Sequence, residues 1–118
     1  MRLIEVTYAE AMPVESYGPG FVRIAGQVLR GPALISPWDA GAWGGFDDTA
    51  TPLTLAGRID VLLLGMGSDI AHAPKAFRAA LEAAEIGVEV MSTPAACRTY
   101  NVLLGEGRRI AAALIPVT

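Results

Sequence analysis

The 118-residue sequence contains only one cysteine and one histidine. A single cysteine excludes an internal disulfide, and this pair cannot supply a His/Cys cluster at the spacing of metal ligands. Lysine and arginine total 9 against 12 acidic residues. Because the cations are also scattered, the sequence lacks the clustered basic charge that nucleic-acid binding requires. We therefore predict no metal, no cofactor and no nucleic-acid partner.

Long apolar segments are also missing. The longest stretch without a charged residue is nine residues, at 49–57 and at 110–118, whereas a membrane-spanning helix needs about 20 apolar residues. Hydrophobic residues nevertheless make up 53% of the chain and charged residues only 18%. We therefore predict a single domain over residues 1–118, without a transmembrane segment, in which this apolar excess lies in a core or an interface.

The first residues do not have the pattern of a targeting segment. An acid occurs at Glu5, and Glu10 and Glu15 follow. A secretory signal needs an apolar run at this place, and an organellar presequence avoids acids. Together with the single cysteine, this predicts a bacterial-type cytoplasmic protein.

The N-terminal half predicts a β-hairpin. Residues 17–20 carry a turn signal, and residues 21–26 then alternate apolar with small or polar side chains, as a half-buried strand does. Residues 27–35 follow as the expected partner strand.

The second half has the pattern of an α/β sheet with crossover helices. A short helix is predicted first, because Thr51-Pro52 is typical of a helix start. Beyond it, strands and helices alternate in the order β-α-β-α-β, which predicts an α/β fold whose sheet is made mixed by the hairpin. The predicted elements are the short helix 51–56, strand 59–64, a helix from about 74 to 84, strand 88–91, helix 94–104 and strand 110–115.

The longest irregular stretch is 36–51, and we predict that it forms a mobile loop. It contains the aromatic residues Trp38, Trp43 and Phe46 among glycines. These aromatic residues are candidates for a protein interface, with anchoring of the core as the alternative for the tryptophans. The pair Asp47-Asp48 predicts a solvated turn, with a weak cation site as the alternative.

Two segments carry residues suited to ligand binding. Glycines follow the most apolar predicted strand, where they either let backbone N–H groups approach an anion or form a tight turn. The third glycine of a dinucleotide-binding loop is absent, since Ile70 takes its place. In the later segment, an arginine and an asparagine near a helix start either hold a carboxylate or phosphate or brace neighbouring backbone. The pocket candidates are Gly65, Gly67, Ser68, Thr93, Arg98 and Asn101.

Cys97 lies in the first turn of the predicted helix 94–104, beside Arg98. A helix N-terminus and a neighbouring cation both favour a thiolate, so Cys97 is an alternative nucleophile. The only histidine, His72, is the matching alternative base. The competing interpretations are a buried apolar cysteine and a solvated histidine, and we predict no complete catalytic set.

The residues also resemble, in order along the chain, a domain-of-unknown-function family found in bacteria, archaea and mitochondria, which includes the mitochondrial NADH:ubiquinone oxidoreductase (complex I) assembly factor 3. The resemblance runs from about Ile4 to Pro116 and is most specific over 89–108. Its segments are Gly20-Phe21 with Ile24 and Gly26, Pro37-Trp38, 62–67, 87–93 with Ala96, 98–101, 106–108 and 111–116. Met66 departs from the threonine of many relatives, and residues 39–51 match the family poorly.

The resemblance implies a three-layer fold with a mixed central sheet and no established reaction. It also implies protein partners such as respiratory complex subunits or other assembly factors. We therefore expect a non-enzymatic binding or assembly domain, able to form a homodimer and to associate peripherally with the membrane through a partner. The alternative is a binder of a small anion or nucleotide, or an enzyme, with its pocket between the 65–69 loop and the helix start at 93–101.

Overall fold

The computed structural model describes residues 12–118, so the prediction that no targeting segment occupies the first residues lies outside the described part. Within it, three helices and eight strands follow one another along the chain. The strands are β1 (Val14–Gly18), β2 (Phe21–Ile24), β3 (Gln27–Arg30), β4 (Ala33–Ile35), β5 (Ala40–Ala42), β6 (Val61–Met66), β7 (Gly87–Met91) and β8 (Ile110–Ile115), and the helices are α1 (Ala50–Leu53), α2 (Lys75–Ala83) and α3 (Thr93–Gly105).

Five strands form a mixed central sheet in the order β5-β4-β8-β6-β7. β6 runs parallel to both β7 and β8, while β4 pairs antiparallel with β8 and β5 antiparallel with β4. The predicted β-α-β-α-β order of residues 59–115 is thus confirmed, with strand and helix ends shifted by a few residues.

The two crossover helices lie on opposite faces of this sheet. The chain moves from β6 outward to β7 and then back past β6 to β8, and two right-handed crossovers in opposite directions place their helices on opposite sides. Leu62 and Leu64 accordingly pack with Phe77 of α2, whereas Leu63 packs in the cluster that contains α3. Because both faces are covered, β6 reads as a continuous apolar run.

The first three strands form a separate antiparallel sheet in the order β1-β2-β3. Their buried residues Val14, Val22 and Ile24 join the cluster that contains Tyr100 and Leu104 of α3. The molecule is therefore an α/β domain in which the central sheet lies between two further layers, as predicted. Among the helices of residues 12–118, none has the length and apolar character that crossing a membrane demands.

The predicted partner strand 27–35 is wrong as a single strand. It divides at Gly31-Pro32, so that β3 stays in the hairpin and β4 joins the central sheet beside β8. Gly31 has φ +77°, a conformation that glycine adopts readily, and Pro32 cannot donate a backbone hydrogen bond. Together they redirect the chain from one layer to the next.

Candidate functional site

The carboxyl ends of the parallel strands β6, β7 and β8 lie together at one end of the sheet, where Thr93 links them. The Thr93 Oγ1 accepts a hydrogen bond from the Gly67 N–H at 2.9 Å and donates one to the Ile115 carbonyl at 2.5 Å. The Thr93 N–H in turn donates to the Gly67 carbonyl at 2.8 Å. One buried side chain therefore joins the loop after β6, the start of α3 and the end of β8.

The two glycines of the predicted loop have structural reasons to be there. A Cβ on Gly65 would lie 2.8 Å from Thr93 Oγ1 and 2.9 Å from Leu114 Cδ2. Gly67 has φ +99°, a backbone conformation that would be strained in a residue with a side chain. Ser68 is exposed, and its Oγ accepts the N–H of Thr118 at 3.0 Å. These contacts fit the tight strand-exit turn, and they occupy the Gly67 N–H that an anion would need.

The Asn101 side chain is bonded to β1. Its Oδ1 accepts the Val14 N–H at 2.8 Å and its Nδ2 donates to the Val14 carbonyl at 2.9 Å. Arg98 is exposed on α3. The structure thus brings Gly65, Gly67 and Thr93 together, whereas the Asn101 amide is taken up by bracing β1.

Cys97 and His72 do not form the alternative nucleophile and base. Cys97 is 3% exposed and packs in the cluster that contains α3. Burial raises the pKa of the Cys97 thiol to about 11, and the neighbouring Arg98 charge only partly opposes this. His72 lies in the exposed loop before α2, on the other side of the central sheet. At neutral pH the cysteine is therefore a protonated thiol.

The aromatic residues of 36–51 belong largely to the core on the α2 face. Trp43 is 3% exposed and its ring centroid lies 5.7 Å from that of Phe46 and 5.6 Å from that of Phe77. Trp38 is half-buried, and the Arg58 guanidinium carbon lies 4.1 Å from its ring centroid. Trp43 therefore anchors the core, which is the alternative interpretation for the tryptophans, and its ring is not available to a partner. Trp38 and Phe46 remain partly exposed to solvent.

Asp48 holds the segment around these aromatic rings. Its carboxylate accepts hydrogen bonds from the Gly44 N–H, the Thr51 N–H and the Thr51 hydroxyl at 2.9, 2.9 and 2.5 Å. These donors, the Thr51 hydroxyl above all, hold the pKa of the Asp48 carboxyl below its usual value. Its carbonyl accepts the Trp43 Nε1–H at 2.9 Å. Asp48 is therefore an organiser of this loop, and the loop's mobility stays a prediction.

A groove that the sequence did not reveal lies on the α2 face, beside the edge strand β7. It has a volume of about 630 Å³ and is lined by Ile70, His72, Lys75, Arg78 and Val90 together with small residues. Of the residues singled out for chemistry, only His72 contributes to it. A usable signal was present, since Lys75 and Arg78 are three residues apart on one helix and so lie on one side of it.

Comparison with known proteins gives one family match and several close relatives. The family described as "Protein of unknown function (DUF498/DUF598)" matches residues 14–115. An uncharacterised protein of Rhodobacter capsulatus is 55% identical over 113 residues, which cover 96% of this chain and 91% of that protein.

Two further matches are to a named protein and to a solved structure. The Homo sapiens NADH dehydrogenase (ubiquinone) 1 alpha subcomplex assembly factor 3 is 32% identical over 123 residues, covering 98% of this chain and 67% of that protein. A solution structure from Bordetella pertussis, described as a Mth938-like domain, superimposes with a TM-score of 0.74 at 27% identity. That match covers 98% of this chain and 91% of that structure.

Proposed function

Since the chain belongs to the DUF498/DUF598 family, as its resemblance predicted, we propose that it is a non-enzymatic domain that binds proteins during the assembly of a respiratory NADH dehydrogenase. The single observation that carries this proposal is the similarity of almost the whole chain to NADH dehydrogenase assembly factors. The chain spans about two thirds of the length of those proteins. The function proposed is therefore that of the part they share.

The hydrogen bonds near the carboxyl ends of the strands and along α3 favour binding through a surface over chemistry in a pocket. Thr93, Gly67 and Asn101, which a small anion would need, already bond to the protein itself. The Cys97 thiol is buried and protonated. The alternative of a ligand pocket between the 65–69 loop and the start of α3 consequently draws no support from these residues.

The proposal includes a location and a class of partner. We place the protein in the cytoplasm, where a reduced cysteine is stable, and its partners among the subunits or assembly factors of the respiratory complex. Association with the membrane would then be peripheral and mediated by the partner. A homodimer is compatible with this function but is not required by it.

Deletion of the gene in the native organism tests the proposal. We expect a lower amount of assembled NADH dehydrogenase on native gels stained for NADH oxidation, with subunit transcripts unchanged and the complex restored by the wild-type gene. Restoration by a Cys97→Ala variant is expected as well, because no covalent step is proposed. A deletion strain with the normal amount of assembled complex would refute an assembly function.

A further inference from the structure

The outer edge of β7 carries backbone groups available for pairing. Among residues 12–118, β7 has one neighbouring strand, β6. The Gly87 N–H points toward β6, since it donates to the Asp60 carbonyl at 2.9 Å. Backbone groups of alternate residues in a strand face opposite sides, so Val88 and Val90 direct theirs outward. The Val88 carbonyl does face outward, because it accepts from Arg78 Nη1 at 3.3 Å.

The groove of about 630 Å³ runs beside this edge and has an apolar floor. Val90 contributes a half-buried side chain. Ile70 stands at the rim with 68% of its surface exposed, the largest exposure among the large hydrophobic residues of the described chain. An extended segment lying along β7 would therefore place alternate side chains against apolar surface.

The charged side chains that line the groove are both cationic. They are Lys75 and Arg78, and the described lining residues include no carboxylate. Within residues 12–118, the polar contacts of Arg78 are both long, at 3.3 Å, one with the exposed Glu82 and one with the Val88 carbonyl. An exposed ion pair of this kind contributes little, so Arg78 can exchange it for a carboxylate of a partner.

We propose that β7 and this groove form the docking site for an extended acidic and apolar segment of a partner protein, which rests on the proposed function in assembly. The segment pairs with the outward groups of Val88 and Val90, and its N–H replaces Arg78 at the Val88 carbonyl. An apolar side chain packs against Ile70, and a carboxylate binds Lys75 and the released Arg78. Backbone pairing provides affinity, and the groove selects the side chains.

A second copy of the chain is the less suitable occupant of this edge. Pairing β7 with β7 would bring two sets of Lys75 and Arg78 close together, and juxtaposed like charges are unfavourable. An acidic segment instead neutralises them. The charge of the groove is thus the reason for choosing a different, acidic partner.

Phage display of random peptides of about twelve residues on the wild-type protein tests this proposal. We expect enriched peptides in which aspartate or glutamate lies next to valine, isoleucine or leucine. Synthetic copies should bind Arg78→Glu and Lys75→Glu at least about tenfold more weakly, while the matched reversal Arg30→Glu on β3 leaves binding unchanged. If Arg78→Glu does not fold, Lys75→Glu is compared with Arg30→Glu instead, because Lys75 is exposed.

Two further readouts separate groove packing from strand pairing. Ile70→Ser should weaken binding, whereas Val102→Ser, at a comparably exposed residue of α3, should not. Bound peptide should slow hydrogen exchange of the Val90 amide by about tenfold or more. Peptides without acidic residues, equal binding by Arg78→Glu and Arg30→Glu, no enrichment, or binding without protection of Val90 would each overturn the proposal.

The deletion strain keeps this proposal distinct from the proposed function. If deletion lowers the amount of NADH dehydrogenase and Arg78→Glu with Lys75→Glu restores it as well as wild type, the docking site is wrong and the assembly function stands. If deletion leaves the complex normal, the assembly function fails whatever the peptides show. We expect the double variant to restore assembly poorly while Arg30→Glu restores it fully.

Discussion

The side chain of Asn101 pairs with both backbone groups of Val14, although 87 positions separate the two residues. It accepts the Val14 N–H at 2.8 Å and donates to the Val14 carbonyl at 2.9 Å. The amide thereby takes the place of a neighbouring strand and fastens β1 to α3. A residue that looked suited to binding an anion is part of the connection between two layers.

Replacing Asn101 should destabilise the protein. Asn101→Ala leaves both Val14 groups without their partner, which should lower the free energy of unfolding by about 1–3 kcal/mol. Arg98→Ala, at an exposed position on the same helix, should change it by less than about 0.5 kcal/mol. Urea denaturation measures both variants, and equal stabilities would show that the Asn101 contacts contribute nothing.

The Thr93 hydroxyl should stabilise the junction of β6, α3 and β8. Thr93→Val keeps the shape but leaves the Gly67 N–H and the Ile115 carbonyl unpaired, so we expect a loss of about 1–3 kcal/mol. Thr93→Ser retains the hydroxyl and should be less destabilising. Thermal and urea unfolding of the two variants make the comparison. If the valine variant is the more stable one, the hydroxyl is not the reason for threonine.

Gly65 should not tolerate a side chain. The added methyl of Gly65→Ala would lie 3.1 Å from the Thr93 Cα, which is backbone, as well as against Leu114. We expect a loss of about 1–3 kcal/mol in the free energy of unfolding. Gly105→Ala is the control, because nothing lies within 4 Å of its added methyl at the end of α3. That control should be neutral or stabilising, and equal losses in both variants would contradict the steric explanation.

Cys97 should react with thiol reagents only after unfolding. Its pKa is raised from 9.0 to about 11, so the folded protein retains the thiol proton where the unfolded chain loses it. Stability from this group is therefore complete below pH 9 and decreases as the pH rises through 9 to 11. Wild type should lose stability over this interval more steeply than Cys97→Ala. Rapid reaction of folded protein at neutral pH would contradict the burial.

Much of the architecture follows from local sequence. The apolar run before Gly65 predicts a buried strand, and the periodic apolar residues around Phe77 and Leu81 predict an amphipathic helix. Both patterns are visible in the sequence because they involve residues only a few positions apart. The division between β3 and β4 was missed, although Gly31-Pro32 marks it. Two adjacent short strands in different sheets look like one long strand when only alternation is considered.

The candidate site was less predictable because its contacts are distant in sequence. Gly67 and Thr93, two of the pocket candidates, lie together at one end of the sheet, since parallel strands end together. Their hydrogen bond to each other, which occupies them, depends on atomic distances that no spacing encodes. The groove beside β7 is formed by a loop, one side of α2 and the edge strand. Its lining residues can therefore be identified only when the position of α2 on the sheet is known.

The most direct test of the central claim is quantitative affinity purification of the chromosomally tagged protein from its native organism. The account predicts that subunits of the respiratory NADH dehydrogenase copurify with the wild-type protein and with Cys97→Ala, and are depleted with the Lys75→Glu and Arg78→Glu double variant. It also predicts that the protein is absent from the fully assembled complex. Purification that recovers no NADH dehydrogenase subunit or assembly factor, from cells in which the complex is being made, would contradict the account.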